Sequence, residues 1–116
     1  MLNIFILEDD HLQQTRLENV IKQSVATNDL KYRHLEIYGK PHQLLEAISE
    51  KGNHQLFFLD IEIRGEEQKG MEIAREIRLK DPNAVIVFVS THSEFMPVTY
   101  KYRVSALDFI DKGLPE

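Results

Sequence analysis

The 116-residue chain contains no cysteine, which excludes a disulfide framework, a thiolate metal site and a cysteine nucleophile. Positive charge is also short: Lys and Arg number 14 against 19 Asp and Glu, a formal net charge of −5. An acidic domain of this size is poorly suited to holding nucleic-acid phosphates by itself. No apolar run reaches the roughly 20 residues of a transmembrane helix, and no basic-then-apolar leader is visible. Internal repeats, low-complexity tracts and Gly/Ser linkers are absent as well. The expectation is a single cytoplasmic globular domain over residues 1–116, with no membrane contact and with proteins or small molecules as partners.

What the sequence does contain is alternation. Leu2–Leu7 is apolar apart from Asn3 and reads as a strand buried on both faces, stopping at Glu8, Asp9 and Asp10. Leu12, Leu17, Val20, Ile21 and Val25 follow at helical spacing, with Asp10 as N-cap and Asn28 as stop. His34–Tyr38 reads as a weaker second strand. Pro41 starts a helix that carries Leu44, Leu45 and Ile48, with Gly52 as its terminator. Leu56–Leu59 is a further apolar strand ending at Asp60, followed by a polar loop from Glu62 to Lys69. Gly70 opens a helix with Met71, Ile73, Ala74 and Ile77 inward, closed by Asp81-Pro82. Ala84–Val89 is the strongest strand and ends in Ser90-Thr91. A short helix with Phe95, Val98 and Tyr102 and a fifth strand, Ala106–Ile110, complete the pattern. Strand and helix alternating at this pitch mean βαβ units and a parallel sheet covered on both faces.

In such a sheet ligands bind beyond the carboxyl ends of the strands. Those ends carry Glu8-Asp9-Asp10, Asp60, Ser90-Thr91 and Asp111-Lys112. Clustered carboxylates suit a hard cation such as Mg²⁺. A lysine there offers a point charge to phosphate oxygens, and Ser90 offers a hydrogen-bond donor. Taken singly, these residues have plainer readings. Asp10 is a helix cap, Asp60 a turn aspartate, Thr91 a strand terminator, Lys112 a solvated loop residue and Phe109 a core residue. The five histidines (His11, His34, His42, His54, His92) are scattered and read as surface or loop positions, with no zinc-type spacing.

The motifs ILEDD, FFLDIEIRG, IVFVST and SALDFIDK, in that order along the whole chain, resemble the receiver domain of two-component response regulators. The segments KGMEIAREIR and YKYRVSALDFIDK look most like regulators of Gram-positive peptide-pheromone circuits, which control competence or bacteriocin production in quorum sensing and carry a LytTR-type DNA-binding domain. The resemblance implies a flavodoxin-like, doubly wound, five-stranded parallel sheet of order 2-1-3-4-5. It makes Asp60 the phosphoryl acceptor, served by a sensor histidine kinase. Asp9 becomes a direct Mg²⁺ ligand and Glu8 one through water, with Asp60 and the backbone carbonyl of Glu62 completing the set. Ser90 and Lys112 would bind the phosphoryl group, and Phe109 matches the aromatic position whose rotamer follows the switch. His92 falls where the family tunes phosphoryl lifetime. Tyr100, Lys101, Tyr102 and Arg103 would form part of a homodimer and output surface around the fourth helix and fifth strand. Such a module is no enzyme beyond its own phosphorylation and autodephosphorylation, and DNA would be reached only through an output domain absent from this chain.

Two departures stand out. Gly113 follows Lys112 where the family usually has proline, so the lysine loop is not held by a proline ring. The sequence also stops at Leu114-Pro115-Glu116, short of the family's fifth helix, so apolar residues such as Phe5 and Leu107 are expected to be partly bare. Two other functions compete. A Toprim-like metal-dependent nucleic-acid enzyme would use Glu8, Asp60 and Glu62, but it explains neither Ser90 nor Lys112. A phosphorylation-independent dimerisation module would leave the acceptor, metal and lysine positions unused.

Overall fold

The computed structural model describes residues 1–60 and 69–89 in full, and Ser90 and residues 108–111 as strand backbone. The elements run β1 (Leu2–Leu7), α1 (His11–Thr27), β2 (Tyr32–Tyr38), α2 (Pro41–Ala47), β3 (Gln55–Asp60), α3 (Lys69–Lys80), β4 (Val85–Ser90) and β5 (Asp108–Asp111). All pairings are parallel, and the order β2-β1-β3-β4-β5 is the expected one. The expected helix through Phe95 lies outside the described residues, as does Leu107.

The apolar strands are explained by two cores, one on each face. Successive side chains of a strand point to opposite faces. Phe5 and Leu7 of β1, Phe57 and Leu59 of β3, and Ile86 and Phe88 of β4 therefore pack with Leu44 of α2 and Met71, Ala74 and Ile77 of α3. Ile4 and Ile6 with Val89 turn the other way, onto Leu17, Ile21 and Val25 of α1. This alternation corrects the expectation for Phe5. It lies on the α2–α3 face, 8% exposed, and stacks on Phe57 with ring centroids 4.7 Å apart. On the α1 face it is Leu56 and Phe58 that remain only half-buried.

α1 begins where Asp10 accepts the Gln13 N–H at 2.9 Å, and ends with Asn28 as C-cap. Its buried line is Leu17, Ile21 and Val25, spaced four apart. Leu12 and Val20, expected on the same stripe, are 67% and 38% exposed. The reason is angular: Leu12 lies five residues before Leu17, about 140° round the helix at 3.6 residues per turn.

Gly52 does not terminate α2. The helix ends at Ala47, and Ile48 caps it in extended conformation. Gly52 sits further on at φ +129° and donates its N–H to Asp81 Oδ2 at 2.9 Å, tying the loop before β3 to the loop after α3. A Cβ at this position would meet the His54 ring at 2.9 Å. Gly52→Ala is expected to cost about 1–3 kcal/mol of stability, read from urea unfolding of the two proteins.

At the amino ends of the strands a polar clamp replaces apolar packing. Asn3 and Gln55, both buried and paired in register, share a hydrogen bond of 2.6 Å. Glu50 accepts from Arg33 at 2.8 and 2.9 Å and contacts His54 Nε2 at 3.0 Å. These partners, His54 first, hold its carboxyl below the ordinary glutamate range.

Candidate functional site

The carboxyl ends of β1 and β3 lie side by side, because Leu7 pairs with Leu59 in the parallel register. The residue that follows each strand core is acidic, so Glu8 and Asp60 are carried to the same edge. Glu8 is 1% exposed and Asp60 is 5% exposed, whereas Asp9 is half-buried. One carboxylate oxygen from each of the three can be chosen so that all lie within 4.8 Å of one another. Asp10, next in sequence, is exposed and turned to its capping task. The plain reading of Asp10 as a cap therefore holds, and the other two acids of that cluster face inward to a shared point.

Local structure fixes Glu8. Its N–H donates to the Tyr38 carbonyl at 3.0 Å, continuing the β1–β2 ladder one step past the strand. Gln14 Nε2 donates to its carbonyl at 2.6 Å, and the Asp10 N–H donates to its side chain at 3.3 Å. Gln14 escaped the sequence reading. It lies six residues beyond the backbone oxygen it holds, a spacing that carries no motif.

Three carboxylates at this spacing, two of them nearly excluded from water, repel one another when ionised. A divalent cation with oxygen preference relieves that repulsion and accepts this donor set, keeping waters in its remaining positions. The residues present fit Mg²⁺. Among the described residues this is the group of acidic side chains arranged to hold a metal.

The neighbouring strand brings Ser90 to the same edge. Val89 pairs with Asp60, so the backbone of Ser90 lies one step beyond Asp60 along the edge, and Ser90 in turn pairs with Asp111 of β5. Phe109 lies in β5 opposite Phe88 by backbone register. Glu62, His92, Tyr100, Lys101, Tyr102, Arg103, Lys112 and Gly113 lie outside the described residues.

Residues 4–116 match the response regulator receiver domain. The chain belongs to that family. Accessory gene regulator protein A of Staphylococcus epidermidis is 33% identical over 114 residues, 98% of this chain and 48% of the relative. Its counterpart in Staphylococcus aureus strain N315 is 32% identical over the same shares. The receiver chain thus spans about half the length of these curated relatives. A response regulator from Colwellia psychrerythraea shares the fold with a TM-score of 0.71, at 18% identity over 98% of this chain and 87% of that one. Response regulator protein TrrA from Thermotoga maritima, solved in complex with Mg²⁺ and BeF, gives 0.67 at 23% identity over 98% and 89%. The family match replaces the Toprim-like reading. Receiver domains bind Mg²⁺ at an acidic cluster, and Glu8, Asp9 and Asp60 form such a cluster here. Among the described residues, no helix is long and apolar enough to cross a membrane.

Proposed function

We propose that this receiver accepts a phosphoryl group on Asp60 from a sensor histidine kinase and thereby switches the output of a longer cytoplasmic regulator. The observation that carries the reading is the convergence of Glu8, Asp9 and Asp60 within 4.8 Å at the carboxyl edge of the sheet. Asp60 has the right character for the acceptor: it ends the central strand, is nearly buried, and stands beside acids that can hold a cation. Its carboxylate oxygen attacks phosphorus in line, the bond from phosphorus to the donor imidazole breaks, and an acyl phosphate results. Bound Mg²⁺ would offset charge on the transferring group, with Glu8, Asp9, Asp60 and the Glu62 carbonyl as the protein's contribution. Ser90 and Lys112 would bond the phosphoryl oxygens and draw their strand ends toward Asp60, with Phe109 following. Through the surface around Tyr100–Arg103 the change would reach a homodimer contact. The likeness to accessory gene regulator protein A supports a LytTR-type DNA-binding output and a place in peptide-pheromone quorum sensing.

The test uses beryllium fluoride with Mg²⁺ as a stable substitute for the phosphoryl group, read by NMR. The strongest shifts are expected in Ser90–Tyr102 and Ala106–Lys112, and not in α1. Shifts confined to the Asp60 loop would mean that no switch is transmitted. Asp9→Ala should reduce Mg²⁺ affinity and slow phosphoryl transfer from acetyl phosphate by on the order of a hundredfold or more, since the metal supplies several kcal/mol of charge stabilisation. Equal Mg²⁺ affinity in the two proteins would refute the ligand role of Asp9.

A further inference from the structure

The buried face of α1 continues toward the acidic edge in an amide. Leu17, Ile21 and Val25 form its apolar line, and Gln14, three residues before Leu17, falls on the same face about one turn nearer the carboxyl ends of the strands. Gln14 is half-buried, and its Nε2 donates to the Glu8 carbonyl at 2.6 Å. Where the neighbouring strand β2 ends, a Cβ on Gly39 would stand 3.9 Å from the same nitrogen, so the amide is lodged between two strand ends. The Gln14 N–H donates to the Asp10 carbonyl at 2.9 Å, which anchors the residue in the first turn of α1.

The carbonyl that Gln14 holds belongs to the peptide unit joining Glu8 to Asp9. A peptide unit is planar, so its orientation sets where both flanking Cα atoms, and the carboxylates they carry, are directed. The bond from the Glu8 N–H to Tyr38 fixes the chain ahead of the Glu8 Cα but leaves rotation about the next bond, Cα–C, open. The bond to the Glu8 carbonyl closes that rotation. The Asp10 N–H reaches the Glu8 side chain at 3.3 Å, a longer contact that does not hold this peptide plane. Asp9 lies beyond the end of β1 and is half-buried, so the same plane is its covalent attachment to the sheet.

We propose that Gln14 is a positioning residue of the cation site, holding the Glu8–Asp9 peptide in the orientation that turns both carboxylates toward Asp60. The proposal rests on the reading of Glu8, Asp9 and Asp60 as a Mg²⁺ site. The effect of Gln14 falls on affinity. Only the arranged state of the carboxylates takes the cation, so the apparent dissociation constant rises as the arranged fraction falls. In the loaded protein the carboxylates are already arranged, and Asp60 stands as it does in wild type.

Mg²⁺ titration followed by calorimetry tests this in wild type and in Gln14→Met, which keeps the bulk and helix preference of the side chain but has no donor. The dissociation constant is expected to rise about tenfold, the lower end of what losing a hydrogen-bonded support behind metal ligands costs. The Mg²⁺ concentration for half-maximal phosphorylation by acetyl phosphate should rise by the same factor, while the rate at saturating Mg²⁺ stays within about twofold of wild type. Gln14→Ala should show the same split. Thr15→Val is the control: it removes the hydroxyl bond from Thr15 to the His11 carbonyl in the same turn of α1, and Mg²⁺ affinity should not change. In the Mg²⁺-free proteins the Glu8 carbonyl-carbon resonance should move in Gln14→Met and not in Thr15→Val, and urea unfolding checks that each variant folds. Wild-type affinity in both Gln14 variants, equal weakening in Thr15→Val, or a lower maximal rate with unchanged Mg²⁺ dependence would each overturn the proposal and leave the acidic edge as the metal site. A wild-type chain that binds no Mg²⁺ would remove the site itself, and the role of Gln14 with it.

Discussion

Asp60→Ala is expected to abolish phosphoryl incorporation from acetyl phosphate, while the domain stays folded. Asp60 is the residue in which three requirements coincide. It ends the central strand β3, it shares the edge with Glu8 and Asp9, and it neighbours the β4 end that carries Ser90. Glu8 and Asp9 are poor substitutes. Glu8 is tied by its backbone to Tyr38 and Gln14 on the far side of the cluster, and Asp9 belongs to the loop that follows β1. Removing the carboxylate also removes a metal donor. Saturating Mg²⁺ at about a hundred times its dissociation constant should raise wild-type stability by about 2.7 kcal/mol. The gain should be markedly smaller in Asp60→Ala at the same concentration. Thermal melting with and without Mg²⁺ measures this second effect independently of any phosphodonor. Incorporation into Asp60→Ala at the wild-type level would remove Asp60 from the acceptor role.

The second large effect belongs to the core. Phe57→Ala should destabilise the domain by about 3–5 kcal/mol, the range for deleting a buried aromatic ring. Phe57 is 1% exposed, lies in the middle of the central strand, and stacks on Phe5 at 4.7 Å with the ring planes 16° apart. Its register neighbours are Phe5 on one side and Ile86 on the other, both buried, so strand pairing leaves little freedom to close the void. A small domain has about 5–15 kcal/mol in total, so the variant should unfold at much lower urea. A loss below about 1 kcal/mol would mean that the site collapses around the smaller side chain, contrary to the close packing argued for this face. Phe57→Leu, which retains most of the volume, should recover most of the loss.

The fold was legible where strands send apolar side chains to both faces and obscure at the exposed edge. β1, β3 and β4 read as unbroken apolar runs because each contributes to both cores, and the structure places them within a residue or two of the expected bounds. β2 starts two residues earlier than the sequence suggested. Tyr32 and Arg33 stand at an exposed edge, where no apolar alternation marks the chain. The buried stripe of α1 is narrower than its apolar residues suggest, because Leu12 and Val20 have the right chemistry but the wrong angle. Gly52 has the chemistry of a helix terminator but stands five residues past the end of α2. Its positive φ answers to a long-range bond with Asp81, and no local pattern encodes such a bond. At the site, the convergence of Glu8, Asp9 and Asp60 followed from strand ends alone, since parallel strands of matched register must bring their termini together. That Glu8 is buried while Asp9 is half-buried depends on backbone bonds to Tyr38 and Gln14, which sequence spacing does not reveal.

The most direct test is to locate the phosphoryl group. The wild-type receiver is incubated with acetyl phosphate, with Mg²⁺ or with a chelator, followed by intact mass measurement and peptide mapping under conditions that preserve acyl phosphates. The expected result is one phosphoryl group per chain, present only with Mg²⁺, labile to hydroxylamine, and confined to the peptide containing Asp60. A chain that stays unmodified, takes the group on another residue, or is modified equally well without Mg²⁺ would contradict the assignment of the acidic edge as a metal-assisted phosphoryl acceptor.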